Sequence, residues 1–386
     1  MISCRLQRRR QLIDDTFSEV AWYCRAIRIM TIKSAEYKIV SRNITLHDAV
    51  SNFAVELADF LNKQNRSAQL YAQDVARGYQ NMVRPVSLLS KELEIRDTLF
   101  CNYSIYDEFF ETYIDIPCAK KVLYFHNVTP GIFFRDYDPS FADLLDAART
   151  QYPLFSAFDA VLANSRYSLE QIRPYVRKDI PCGIFPPYFT LAPSAAASTT
   201  PVPLPAARHA LLWVGRITPH KRPDLALAVF DELVRSGVDA SLTFVGGGRY
   251  DFPGFAAHMD ACLARLEPTT RERVRFLQDL SDEQLTWLYR NTALLLCTSA
   301  HEGYCMPPAE AAVCGLPVAA MPQPAVLETL NGGGIVLEEE PAAAARRIKA
   351  FLTGADEAER RRAVPVLKPL PTDELVRLVT GDARCR

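Results

Sequence analysis

The second half of this chain alternates short apolar runs with amphipathic stretches of helical period, and that alternation leaves few folds open. Ala210 to Val214, Leu242 to Val245, Val274 to Leu277, Ala293 to Cys297 and Pro317 to Ala320 have the length and apolar content of buried strands. Between the first two, Asp224 to Val234 sets Leu225, Val229, Phe230, Leu233 and Val234 on one helical face, and Gly237 closes it. Ser281, with Gln284 three residues on, is a capping-box start, and Leu285, Leu288 and Tyr289 form the inner face of the helix that follows. Strands alternating with helices imply a parallel sheet covered on both faces. Such sheets bind ligands beyond the carboxyl ends of their strands. Gly215-Arg216, Gly246 to Gly248 and Glu302 all fall there.

The first half repeats the scheme less cleanly. Lys38 to Val40, Leu70 to Ala72, Thr98 to Asn102, Val122 to Phe125 and Ala160 to Ala163 read as strands. His47 to Leu61 reads as a helix with Val50, Phe53, Ala54, Leu57 and Leu61 on one face, and a further helix starts at Tyr167 after Asn164-Ser165. The uncharged stretch APSAAASTTPVPLP, Ala192 to Pro205, has a linker's composition and divides the chain into halves of similar size. The 386 residues suit about two domains.

Composition excludes several function classes. The chain is 49% hydrophobic and 23% charged, ordinary for a soluble globular protein. With 44 basic and 45 acidic residues the net charge is -1, so no basic field points to nucleic acid. No apolar run approaches the roughly 18 residues of a membrane span. Ten cysteines are scattered without a C-x-x-C pair, which fits reduced thiols in a cytoplasmic protein better than disulfides or zinc. Cys297 and Cys314 sit in apolar runs and read as core. The first 36 residues are basic and lack a signal peptide's apolar region. They read either as an untethered extension, with Met30 as an alternative start, or as a peripheral contact with an anionic membrane face.

The segment HEGYCMPPAE, His301 to Glu310, carries the chemistry. Glu302 and Glu310 stand eight positions apart, one on the loop after a strand and one expected in the first turn of the next helix, which Pro307 and Pro308 suit. A helix start favours anions, so a carboxylate there either grips ligand hydroxyls or simply favours its own helix end. In GRITPHK, Gly215 to Lys221, Arg216 and Lys221 are spaced to hold a diphosphate, although loops often carry basic residues. Gly246 to Gly248 permit a close backbone approach or a tight turn, and they match neither G-x-G-x-x-G nor the P-loop spacing. His126, at a strand's carboxyl end, is placed to donate to a phosphate or sugar hydroxyl, or is structural. His220, His258 and His301 show no metal-ligand spacing, and no metal is expected.

Taken together, these segments resemble the family 4 glycosyltransferases of the GT-B fold. The likeness rests on VGRITPHKRPDLAL (214–227), SLTFVGGG (241–248), the run from Val274 to Ala320 and PAVLET (324–329), with weaker matches at 47–61 and 123–134. It implies an α/β fold of two doubly wound Rossmann-like domains facing a cleft. The acceptor side would span 37–191, a linker 192–209, the nucleotide-sugar side 210–355, and a tail 356–386 would cross back. It further implies that Arg216 and Lys221 hold the donor diphosphate and that Glu310 binds the ribose hydroxyls. Glu302 would lie near the donor sugar, and His126 would approach that sugar from the other domain. Gly215, Gly246, Gly303, Tyr304, Cys305 and Met306 complete the implied donor site. The implied reaction is retaining transfer of a hexose from a nucleotide-diphosphate sugar to a hydroxyl on a carbohydrate or lipid-linked acceptor, as in polysaccharide or glycolipid synthesis. No cofactor beyond that donor and no metal are implied, and Glu302 is not cast as a nucleophile. His47 stands where the family usually has glycine before Asp48, and Gln278 where glycine is common in the base-binding loop. Two rivals stay open: a nucleotide-sugar epimerase or sugar phosphorylase on the same scaffold, and a non-catalytic carbohydrate-binding protein.

Overall fold

The computed structural model describes residues 37–45, 48–188 and 201–380. The basic extension, His47, positions 192–200 of the linker and the end of the tail lie outside them. Two parallel sheets organise the rest. The first contains β1 (Tyr37–Ile44), β2 (Ala68–Val75), β3 (Val83–Pro85), β4 (Thr98–Tyr103), β5 (Lys120–Phe125), β6 (Ala160–Ala163) and β7 (Cys182–Ile184), in the order β3-β2-β1-β4-β5-β6-β7. The second contains β8 (His209–Val214), β9 (Ala240–Val245), β10 (Val274–Leu277), β11 (Leu294–Cys297), β12 (Val318–Ala320) and β13 (Ile335–Val336), in the order β10-β9-β8-β11-β12-β13. In each sheet the order reverses at the first strand, the doubly wound pattern whose crevice receives ligands.

Register fixes what leaves each sheet together. Phe125 pairs with Tyr103 on one side and Ala163 on the other, so His126 and Asn164 emerge side by side. Val214 pairs with Val245, so Gly215 and Gly246 do the same. Strands β4 and β6 are buried along their whole length, as a sheet covered on both faces requires. The edge strands β3, β7 and β13 are only two or three residues long and carry too little pattern to be read from sequence.

The helix Ala49–Lys63 starts two residues later than the periodicity suggests, because the Asp48 carboxylate caps it by accepting from the Ser51 amide at 3.0 Å. It buries Phe53, Ala54, Leu57 and Leu61. Phe53 is fully enclosed and stacks on Tyr124 with ring centres 3.8 Å apart, while His126 meets its edge at 5.4 Å. The core of the first sheet thus reaches the candidate site directly.

The two units touch. Phe134 packs on Phe252 at 4.9 Å and Tyr137 on Phe255 at 5.0 Å, joining the segment after β5 to the helix Pro253–Arg265. The stretch entering β8 is not a free linker where it is described. Val202 is buried in the second unit's core, and the Arg275 guanidinium donates to the Pro203 carbonyl at 2.7 Å. At the other end, the helix Thr372–Thr380 returns to the first sheet, burying Leu375, Leu378 and Val379. Among the described residues no helix is long and apolar enough to cross a membrane.

Phe53→Ala removes the ring that links this helix to β5 and should cost about 3–5 kcal/mol of stability, as large-to-small core changes do. Urea unfolding followed by tyrosine fluorescence checks it; an unchanged midpoint would exclude the stacking as a support.

Candidate active site

Two loops at the carboxyl ends of β8 and β9 lie in contact. A side chain on Gly246 would place its Cβ 2.0 Å from the Gly215 carbonyl oxygen, so this position admits only glycine. The Gly215 amide donates to the Val245 carbonyl and the Ile217 amide to the Gly247 carbonyl, each at 2.9 Å. Arg216, between them, is exposed. Its neighbour Arg222 is committed to Asp224 at 3.1 Å, whereas Arg216 forms no ion pair among the described residues.

Lys221 and Glu302 find each other. The ammonium donates to Glu302 Oε1 at 2.6 Å, and both side chains are largely buried. Burial opposes the Lys221 charge, yet the adjoining Glu302 carboxylate outweighs it and raises the pKa above its ordinary value. The same ammonium acts favourably on the Glu310 carboxylate. The structure therefore joins Lys221 directly to Glu302, with Glu310 in the helix that follows the same loop.

Glu310 departs from expectation in one respect. The helix begins at Met306, so Glu310 lies in its second turn and not its first. It is held there by Tyr289, whose hydroxyl donates to Glu310 Oε2 from the helix Asp282–Asn291. Burial raises the Glu310 pKa and the Tyr289 hydrogen bond works against that rise. Sequence reading placed Tyr289 on an apolar inner face. It is indeed buried there, and only its hydroxyl marks it as more than core.

The loop from Glu302 to Met306 has an unusual anchorage. The Glu302 carbonyl accepts from Gln323 Nε2 at 3.4 Å, and the Tyr304 carbonyl from the Thr329 hydroxyl. The Gly303 carbonyl accepts from Ser165 Oγ at 2.5 Å and Ser168 Oγ at 3.1 Å, both in the opposite unit. The amides of Gly303, Tyr304 and Cys305 donate to no protein acceptor among the described residues. Cys305 has φ +71°, a left-handed conformation that a non-glycine residue adopts at a cost, immediately before the helix. Its Sγ lies 3.6 Å from that of buried Cys297. Cys314, expected in the core, is only half-buried against the same cluster.

His126 meets this loop by its backbone. A Cβ on Gly303 would lie 2.2 Å from the His126 carbonyl oxygen, so the glycine allows the two units to touch. The His126 ring is buried, which lowers its pKa to about 3 and keeps it neutral. Asn102 gives its Nδ2 protons to the Ser41 hydroxyl and the Val50 carbonyl. Its Oδ1 therefore receives the His126 Nε2 proton, and the ring's other nitrogen is left as an acceptor. The expectation that this histidine donates to a ligand is thus reversed. His301, beside Glu302, is likewise neutral, burial lowering it to about 4. His258 stands 3.8 Å from Asp224, and His220 is buried. Among the described residues no three His, Cys, Asp or Glu side chains group as a cation site. A cavity of about 560 Å³ is lined by Tyr167, Tyr188, Tyr304 and Glu328, and Lys221, Glu302 and Glu310 do not border it.

Tyr289→Phe removes the hydrogen bond that counters burial at Glu310 and should raise that pKa further above the ordinary 4.5. A carboxyl whose folded pKa is raised contributes stability at low pH that is lost as pH rises through the folded value. The variant should accordingly lose more stability than the parent between pH 4 and pH 7, read by thermal melts across that range. Parallel pH profiles would show that the hydroxyl does not govern Glu310.

Comparison with known proteins places this arrangement. Residues 201–364 match the family model described as glycosyl transferases group 1. A serotype-specific mannosyltransferase of Escherichia coli is 34% identical over 113 residues, which are 29% of this chain and 13% of the relative. The chain thus aligns with a small part of the curated relatives it matches. Among solved structures, a UDP-forming trehalose-phosphate synthase from Burkholderia xenovorans superposes with a TM-score of 0.63 at 13% identity, covering 85% of this chain and 93% of that one. An Anabaena protein solved with UDP and glucose gives 0.59 at 15% identity, covering 85% and 92%. These superpositions establish the two-domain fold that the sheets describe. The chain has the GT-B fold, and the stretch that matches the glycosyl transferases group 1 model carries Arg216, Lys221, Glu302 and Glu310.

Proposed function

We propose that this protein is a retaining glycosyltransferase that moves a hexose from a nucleotide-diphosphate sugar to a hydroxyl of a carbohydrate or lipid-linked acceptor, in glycan synthesis. The observation that carries the reading is the buried Lys221–Glu302 pair set beside Glu310, with exposed Arg216 at the neighbouring strand end. The superposed Anabaena structure, which holds UDP and glucose, supports a donor of this class.

In this reading Arg216 grips the diphosphate as a fork and Lys221 as a point charge. Glu310, fixed by Tyr289, accepts from the ribose hydroxyls. The free amides of Gly303, Tyr304 and Cys305 and the Glu302 carboxylate receive the transferred sugar. The bond from the anomeric carbon to the diphosphate oxygen breaks, and the acceptor oxygen bonds to the same carbon on the same face. The acceptor's proton passes to the departing phosphate oxygen. Preorganised cations stabilise the negative charge that develops on that leaving group. Glu302, committed to Lys221, is a carboxylate for hydroxyls and not a nucleophile. The reaction is proposed to need no metal, since Arg216 and Lys221 perform the charge work, and to take place in the cytoplasm, with the acceptor presented from a membrane face or a growing glycan.

Two measurements test the reading. In a thermal-shift panel of UDP, GDP, ADP, dTDP and CMP, one diphosphate should stabilise the protein equally with and without Mg²⁺, by about 2.7 kcal/mol at a hundredfold excess over Kd. No shift with any of them would overturn the donor site. Lys221→Ala should lower turnover roughly 10²–10³-fold, as loss of one preorganised charge-stabilising donor does. It also strands Glu302, which should cost about 3–5 kcal/mol of stability. The double variant Lys221→Met with Glu302→Gln should regain stability and stay inactive. Recovery of turnover with stability would exclude a phosphate role for Lys221.

A further inference from the structure

Three consecutive peptide planes make up the loop after Glu302, and each is anchored by its carbonyl. A trans peptide points its carbonyl and the next residue's N–H in opposite directions. Fixing the carbonyls of Glu302, Gly303 and Tyr304 therefore sets the N–H groups of Gly303, Tyr304 and Cys305, each pointing away from the anchor of its own peptide. Gln323 and Thr329, which hold the first and third carbonyls, belong to the same unit as the loop. The middle carbonyl is different. Its two hydroxyl donors, Ser165 and Ser168, stand at the start of the helix Arg166–Ile172 in the opposite unit, and both are fully buried. Ser165 Oγ accepts from the Ser168 amide at 3.0 Å, and Ser168 Oγ from Asn127 Nδ2 at 3.1 Å. Of the two acceptors within reach of the Ser165 hydroxyl, the Gly303 carbonyl at 2.5 Å is nearer than Ser168 Oγ at 3.0 Å, and the Ser168 hydroxyl also donates to Gly303.

A second contact ties the same helix across the junction. The Glu328 carboxylate accepts from the Arg166 amide at 2.8 Å and the Tyr167 amide at 3.2 Å. Glu328 lies on the helix Pro324–Leu330, which also carries Thr329. One short helix thus holds both the third carbonyl and the first amides of the opposite unit's helix, which lie between the two serines.

We infer that Ser165 and Ser168 are positioning residues for sugar transfer: they set the Tyr304 N–H, through the Gly303 carbonyl, only while the two units are closed, and Glu328 holds them in place. The inference rests on the proposed donor role of the loop amides. When the units part, the middle peptide loses both anchors while its neighbours keep theirs. The donor loop is then complete in the closed state and incomplete in the open one, so nucleotide binding and sugar transfer are separable.

The test uses the full-length protein with Ser165→Ala/Ser168→Ala and, separately, Glu328→Ala, which leaves the serines and the helix cap in place. Three quantities are read: turnover at saturating donor, affinity for the stabilising nucleoside diphosphate, and hydrogen exchange of the Tyr304 amide without ligand. The expected result is a turnover loss of roughly tenfold or more with diphosphate affinity within about threefold, since orientation and not binding is lost. Tyr304 exchange should quicken in both variants, while Gly303 and Cys305 stay near the parent's rates. Parental turnover and parental Tyr304 exchange in either folded variant would overturn the inference. If the parent itself transfers no sugar, the proposed function falls, and the exchange rates alone decide whether the serines orient the loop.

Discussion

A lysine and a glutamate buried against each other at 2.6 Å cost more in lost hydration than they return as attraction, unless the surroundings supply further partners. An apolar pair of the same size would serve the fold as well. The Lys221–Glu302 pair is therefore better understood as a charge store than as a stabilising contact. Its ammonium is kept charged by Glu302, and its field also favours the Glu310 carboxylate. Much of the local structure follows from keeping this pair in place. Gly215 and Gly246 let two strand ends close up beside it, and Gly303 lets the opposite unit rest against the loop that carries Glu302.

The parallel sheets were legible in the sequence because the inner strands β4, β6, β9 and β11 are buried along their whole length and read as mostly apolar runs, whereas the longer β1 and β2 carry polar residues and show only their apolar centres. The helix starts were legible where a cap is chemical, as at Ser281 and Gln284, whose reciprocal capping box is present. Asp48 shows the opposite case: periodicity ran on through His47, and the carboxylate ended it. Arg216, Lys221, Glu302 and Glu310 could be picked out as a group because they lie in one unit, on the loops after β8 and β11 and the helix that follows. Their partners could not. Tyr289 looks like core in any hydropathy pattern, since only its last atom acts on Glu310. Ser165 and Ser168 lie 138 and 135 positions from the carbonyl they hold, and no local pattern carries a contact across that separation.

His126 illustrates how position and role part company. Its place at the end of β5 follows from the strand pattern. What the ring can do is decided by Asn102, whose amide is oriented in turn by Ser41 and Val50 on the neighbouring strand and helix. A chain of three hydrogen bonds fixes the tautomer, and burial removes the charge. The ring is thus restricted to accepting, a property that residue type and spacing alone leave open.

Two kinds of rigidity meet at the site. Lys221 and Glu310 take their partners, Glu302 and Tyr289, from within their own unit. The Gly303 peptide is oriented by the other sheet. Its place in the site therefore depends on how the units sit, and its glycine is what allows them to sit so close. A side chain at 303 would collide with the His126 carbonyl before the serine hydroxyls came within reach. Close approach and peptide orientation are one requirement, met by the same residue.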